Sequence, residues 1–362
     1  MADGGGPRVA FVVPERTDGN PYISELIASV ERAGASVVRT GMTPRWLAEA
    51  RRAGASVVHL HWNSYLVSSA RGWASWLKVL VFVWQLVLAR LRGVAVVWTV
   101  HNLRDHGGRC ARQDRLASRA AARLVRRLIV HCPGAAGLAA EAFGVLEDRR
   151  FAVVEHAAYA AEPVSEEARR AFRSELGAGD AERVLLFFGR VQPYKGILDL
   201  IDAFSSVEGP GLRLVIAGKC DAGHEAELRA RATDGRIVLR LGFVAEEDVA
   251  GYLASADAVV LPYRDILSSG SALLAVAYGR AVSAPATGCL PDVFAGGGAI
   301  LYDPERPGAL RGAVGQLAGA SAERLADMGA ANARAAERLT WDRMGRETVE
   351  VYRAAAGEGD GA

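Results

Sequence analysis

The chain has 362 residues, 51% of them hydrophobic and 23% charged, with a formal net charge of +2. That length exceeds what one hydrophobic core ordinarily supports, so two domains are expected, and the core is large enough to need no staples. The near-neutral balance excludes the basic excess of a nucleic-acid binder, and the apolar content excludes a disordered chain. Four cysteines, Cys110, Cys132, Cys220 and Cys289, lie far apart without CxxC pairing and read as free thiols in a reducing compartment.

The opening "MADGGGPRVAFVV" has no cationic stretch followed by an apolar region and a cleavage site, so it reads as a first strand rather than a signal peptide. A cytoplasmic location is expected. Short Val/Ile/Phe-rich runs then alternate with longer amphipathic stretches, the pattern of βαβ units around buried parallel sheets. In the first half the predicted strands are Val9 to Val13, Ser36 to Val38, Ser56 to Leu60, Ala95 to Val100, Arg127 to His131 and Phe151 to Val154. "HLHWN" places His59 and His61 at a strand end, where they are read as pointing to opposite faces, so that at most one of them serves a site.

Between the third and fourth strands lies "ARGWASWLKVLVFVWQLVLARLRG", whose uncharged core, Val79 to Ala89, is short of the roughly 20 residues that span a bilayer. It is not expected to cross a membrane. Trp73, Trp76 and Trp84 with Arg71, Lys78, Arg90 and Arg92 suit a helix lying in a lipid interface, and a helix buried against the sheet is the other reading.

A polar stretch with a helix at Ser165 to Leu176 precedes a second alternation: Val184 to Phe188, Leu212 to Ala217, Ile237 to Leu241, Ala258 to Pro262, Ala281 to Ala284 and Gly298 to Leu301. The prediction is α/β throughout, two Rossmann-like doubly wound sheets with a seam near residues 160 to 182.

Ligands of open α/β sheets sit at the carboxyl ends of strands. "FFGRVQPYKGILDLIDAF" ends a strand at Gly189 and opens a helix after Gly196, with Arg190 and Lys195 between. Two cations beside a helix N-terminus suit a diphosphate, although a solvated loop would read the same way. "LPYRDILSSGSALLA" supplies a second candidate loop, in which Ser268, Ser269, Gly270 and Ser271 offer capping hydroxyls and free N–H groups for an anion. A plain N-cap is its bland reading. No GxxxxGK[ST] and no DxD triplet is present, and no metal is expected.

With these pieces in this order the chain resembles the family-4-type (group 1) glycosyltransferases of the GT-B fold, in an exopolysaccharide-like branch. The carrying stretches are "GRVQPYKGILDLIDAF", "LVIAGKC", "LGFVAEEDVAGYLASADAVVLPY" and "ATGCLPDVFAGGGAILYDPERPGAL". The resemblance implies two domains facing across a cleft: residues 1–165 on the acceptor side, 166–338 binding the nucleotide sugar, and 339–362 a helix crossing back, with Trp341 and Tyr352 as packing anchors. It implies transfer of a hexose-type sugar from a nucleotide diphosphate sugar to a hydroxyl acceptor, retaining and metal-independent, with no cofactor beyond that co-substrate.

Residue by residue, Arg190 and Lys195 match the diphosphate-holding pair, and His101 of "TVHNLRDHG" matches the histidine beside the transferred sugar. Gly189, Gly242, Phe243, Val244, Asp265, Ser269, Gly270, Ser271 and Leu274 fall at donor-binding positions, and Gly288 to Pro291 near the donor sugar. Gly19, Asn20, His61 and Asn102 fall at acceptor or cleft positions. The chain departs from the family at its acid pair: Leu274 stands where a ribose-binding glutamate is usual and Ile266 where the first acid is, with Asp265 one residue away. Expected partners are the nucleotide sugar, a small or lipid-linked acceptor, and peripheral membrane contact through residues 71–92. Two alternatives stay open, a catalytically silent nucleotide-sugar binding protein and a nucleotide-sugar epimerase. The latter lacks the acidic and histidine cluster it would need.

Overall fold

The computed structural model describes residues 6–14, 21–104, 110–209 and 211–357. They divide into two compact units, one of residues 1–157 with 339–362 and one of residues 158–338.

In the first unit six strands form one parallel sheet in the order β2-β1-β3-β4-β5-β6. They are β1 (Arg8–Val13), β2 (Ser36–Gly41), β3 (Val57–Leu60), β4 (Ala95–Thr99), β5 (Arg127–Val130) and β6 (Phe151–Val153). Central β3 and β4 are buried along their whole length, which is why they read as unbroken apolar runs rather than alternating ones. Helix Tyr22–Arg32 and the closing helix Trp341–Gly357 pack on this core, with Val9, Phe11, Leu26, Met344, Val349 and Tyr352 in one cluster. Gly345 lets the two helices touch, since a Cβ there would stand 2.5 Å from the Ser29 carbonyl oxygen.

The second unit has the order β12-β11-β10-β7-β8-β9, again parallel. Its strands are β7 (Arg183–Phe188), β8 (Leu212–Gly218), β9 (Ile237–Leu241), β10 (Ala258–Val260), β11 (Ala281–Pro285) and β12 (Ala299–Tyr302). The strand order reverses between β7 and β10, the crevice at which doubly wound sheets take ligands. At the opposite, amino-terminal edge the wholly buried Arg173 ties the unit together. Its guanidinium donates to the carbonyls of Ser255 (2.7 Å), Gly179 (3.1 Å) and Glu182, and lies 3.4 Å from Asp257.

All twelve predicted strands are present, eleven of them within two residues of their expected ends, while β2 runs three residues past Val38 to Gly41. The free-thiol reading holds for Cys110 and Cys220 but not for Cys132 and Cys289, because spacing along a chain carries no information about which thiols the fold engages. Helix Gly72–Leu91 is 20 residues long, enough by length and composition to cross a membrane, with 33% of its apolar window buried. It is built into its unit instead: Val79, Phe82, Leu86 and Ala89 are buried, and Gln85 accepts a bond from the Leu47 amide. Its tryptophans lie on the other face, with Trp73 67% and Trp84 61% exposed, so the buried-helix reading fails for them.

Candidate active site

The loops after β7 and β10 meet at the switch point of the second sheet. Gly189 has φ 130°, and a Cβ there would lie 2.5 Å from Ser271 Oγ, so the glycine is what lets helix Gly270–Ala277 start beside the β7 loop. Gly196, at φ 70°, likewise admits the Pro262 carbonyl, and the Arg264 amide donates to the Tyr194 carbonyl at 3.1 Å. The two anion-suited stretches of sequence are therefore one surface.

On it, Ser269 caps its helix by accepting from the Ala272 amide. The N–H groups of Gly270 and Ser271 have no partner within the helix and carry its positive dipole end. Lys195 is 8% exposed, and its ammonium stands 4.1 Å from the ring centre of Tyr263. Arg190 is exposed. Among the described residues neither cation has an ion-pair partner, whereas nearby Arg264 is held bidentately by Asp199. Tyr263 was missed by sequence reasoning. Its hydroxyl lies 2.9 Å from Ser269 Oγ while its ring carries Lys195, so it couples the two loops, and the signal was the tyrosine of "LPY".

Gly242, Phe243 and Val244 follow β9, with Phe243 71% exposed. Asp265 is exposed, Ile266 is buried and Leu274 is partly buried. Gly288, at φ 55°, packs its loop against the carbonyls of Ile266 and Leu267, which puts residues 288–291 beside the serine loop. A cavity of about 710 Å³ between Asp180, Arg183, Asp257 and Arg280 lies at the amino ends of the strands, the edge opposite this surface.

In the first unit His101 follows β4 and is half-buried, and Asn102 is exposed. Gly19 and Asn20 lie outside the described residues. The reading of His59 and His61 as pointing apart is corrected: residues two apart along a strand share a face, and their rings lie 4.1 Å apart. They belong to a row that sequence reasoning missed. His61, His101, His131 and His156 each follow one of the adjacent strands β3, β4, β5 and β6. Successive ring centres along that row are 5.5, 5.6 and 5.0 Å apart. His61 Nδ1 is 3.2 Å from His101 Nε2, while His59 is held by Tyr352 and Thr99 hydroxyls at 2.7 Å each.

Tyr22 packs edge-on or tilted against the rings of His101 and His156, each at 4.9 Å, and Trp62 stacks on His101 at 5.0 Å. Trp341 packs beside the row, its ring 5.8 Å from His156 and 6.0 Å from Tyr22. Burial, reinforced by mutual repulsion, depresses the imidazoles: His59 and His156 to about 3, His61 and His101 well below the ordinary value. Burial likewise takes His131 down to about 4, against the opposing pull of its bond to the Val154 carbonyl. All are neutral at pH 7. Among the described residues no group of three or more His, Cys, Asp or Glu is placed to hold a metal ion.

The family profile "Glycosyl transferases group 1" matches residues 182–319, the stretch that carries the cationic surface. A GDP-mannose:glycolipid 4-beta-D-mannosyltransferase of Xanthomonas campestris pv. campestris is 28% identical over 352 residues, 95% of this chain and 91% of that one. Over residues 182–319 the chain is thus similar to group 1 glycosyltransferases, and over nearly its whole length to a curated glycosyltransferase. Several further relatives match about half the chain, among them a D-inositol 3-phosphate glycosyltransferase of Segniliparus rotundus, 30% identical over 52% of this chain and 43% of its own. Among solved structures, a sucrose-phosphate synthase from Thermosynechococcus elongatus superposes with a TM-score of 0.76 at 16% identity, covering 97% of this chain and 100% of that one. An Anabaena HepE structure in complex with UDP and glucose does so with a TM-score of 0.73 at 17% identity, covering 96% and 100%. The two doubly wound units are thus the GT-B type of fold.

Proposed function

We propose that this glycosyltransferase moves a hexosyl group, mannosyl being the first to test, from a nucleoside diphosphate sugar to a hydroxyl of a lipid-linked saccharide. One observation carries the reading: an almost buried, unpaired ammonium, Lys195, and the free Arg190 stand with a helix N-terminus at the sheet's switch point. A buried cation without a carboxylate is costly, and a diphosphate arriving there supplies the missing charge. As the sugar leaves, negative charge grows on that diphosphate, and Lys195, Arg190 and the Ser269-capped helix stabilise it without a metal. The donor sugar and lipid acceptor are taken from the relative that spans nearly the whole chain.

That relative forms a β-mannosidic bond, which from an α-linked donor is inversion. With Leu274 and Ile266 in place of the usual acids, we put inversion in place of the retention that the resemblance implied. The exposed face of helix Gly72–Leu91, with Trp73, Leu80 and Trp84 between Arg71 and Arg90, is proposed to lie on an anionic membrane surface, where a lipid-linked acceptor is presented.

The test is a thermal-shift screen over GDP-, UDP-, ADP- and dTDP-sugars, then transfer from GDP-mannose with the product anomer read by NMR. A donor at 100 times its Kd adds about 2.7 kcal/mol, a shift of several degrees. No shift with any of them sinks the reading, and binding with neither hydrolysis nor transfer leaves the silent binding protein in its place.

A further inference from the structure

Neutral imidazoles both donate and accept hydrogen bonds. The row at the carboxyl edge of the first sheet presents them among aromatic rings, and the ionisable groups that depress His59, His61, His101 and His156 are one another and His131. No cation among the described residues acts on them. Two of their nitrogens, His61 Nε2 and His131 Nε2, are buried without a hydrogen-bond partner, in side chains 2% and 5% exposed.

For His131 the tautomer follows from geometry. Its Nδ1 lies 2.9 Å from the Val154 carbonyl, which only accepts, so Nδ1 carries the hydrogen and Nε2 holds an unshared pair. The chain builds this arrangement from two adjacent strands, β5 delivering the imidazole and the residue after β6 delivering the carbonyl. His156 is oriented in the same way by the Ala157 carbonyl at 2.8 Å. A backbone carbonyl thus does for each ring what a carboxylate does in a triad, without adding charge.

We propose that this edge binds the acceptor's terminal sugar as an uncharged, hydroxyl-bearing ring entering past the partly exposed Trp62 and Trp341, and that His131 Nε2 takes the proton of the attacking hydroxyl. The inference rests on the transferase reading. In the step, the acceptor oxygen bonds to C1 of the donor sugar as the bond from C1 to the phosphate oxygen breaks. That electron pair leaves on the nucleoside diphosphate. The hydroxyl proton passes to Nε2, and the imidazolium returns it to solvent as product departs. Inversion requires a base other than the leaving group, and a site lined by neutral rings disfavours phosphorylated acceptors, for which it offers no cation.

The experiment uses the full chain, GDP-mannose, and hexyl β-glucoside or its 6-phosphate as acceptor probes. His131→Asn keeps an N–H for the Val154 carbonyl and removes the base. Its expected kcat is lower by 10²- to 10⁴-fold with acceptor KM within threefold and GDP binding unchanged, the signature of a lost proton acceptor rather than a lost fold. A fall below tenfold overturns the base, and preference for the phosphorylated probe overturns the neutral-sugar site. Should the Asn variant unfold, His131→Gln is measured in its place, and if that too unfolds His131 is structural and the assignment falls. Wild-type protein that transfers no sugar from any donor sinks the functional reading itself, whereas active wild type with an active variant sinks only this proposal.

Discussion

Acidifying the protein from pH 7.5 to 5.5 should strip stability from the unit that carries the histidine row. Unfolded, each imidazole takes a proton near its ordinary 6.5; folded, His59 and His156 do so only at about 3 and His131 at about 4, with His61 also well below. The unfolded chain therefore binds more protons throughout that window, so stability is full above 6.5 and falls as pH drops toward the folded values. At pH 5.5 each of these four rings, all at most 9% exposed, costs on the order of 1 kcal/mol, and together roughly 5 kcal/mol, a large part of an ordinary domain's 5–15. For a unit of this size that is a fall in Tm of roughly 10–20 °C. Near-UV circular dichroism melts at constant ionic strength, at half-unit steps of pH, measure it. His156→Asn should remove about a quarter of the slope. A Tm constant within about 3 °C between pH 7.5 and 5.5 would refute the claim that these imidazoles are buried and neutral.

Arg190→Ala and Lys195→Ala should each raise donor KM and lower kcat by 10-fold or more, and unchanged steady-state kinetics in both would remove the diphosphate surface. Arg173→Ala strands the carbonyls of Ser255, Gly179 and Glu182 and leaves a cavity, so urea unfolding should show a loss of about 3–5 kcal/mol while nucleotide affinity in the folded protein is spared. Flotation with vesicles containing a third phosphatidylglycerol should carry the wild type upward and leave Trp73→Ser/Trp84→Ser behind; equal behaviour of the two excludes the membrane-facing helix.

The strands were legible because doubly covered parallel sheets demand continuous apolar runs, and Val57 to Leu60 and Leu185 to Phe188 are buried throughout in that way. Lys195, Arg190 and Ser269 were legible for a related reason: they sit within a few residues of glycines that only a tight turn at a strand end needs. Tyr263 was not, since nothing local says that its ring will lie beneath an ammonium from a loop 68 residues earlier in the sequence. The histidine row was harder still. His61, His101, His131 and His156 are separated by 40, 30 and 25 residues, and each alone is an ordinary residue at a strand end. Only the pairing of β3 with β4, β4 with β5 and β5 with β6 sets them side by side. The error over His59 and His61 had a simpler cause, a period-2 rule applied with the wrong parity.

The two carboxyl edges are opposite in electrostatic character, and that difference matches the two charges a glycosyl transfer must manage. Departure of a diphosphate deposits negative charge, so the edge that receives it profits from cations that have no carboxylate partner, as Lys195 and Arg190 have none among the described residues. Activation of a sugar hydroxyl needs the reverse, a proton acceptor that stays unprotonated and no cation strong enough to claim a competing anion. Burying imidazoles beside one another achieves this at a cost, since every ring lowers its neighbours' affinity for a proton and the unit becomes acid-labile. If that cost is the consequence of a base kept in readiness, the acid sensitivity and the acceptor step share one origin. His131→Asn should then both remove about a quarter of the pH dependence of Tm and lower kcat for transfer by 10²- to 10⁴-fold. A variant that did the first without the second would separate them, and would leave the row as packing alone.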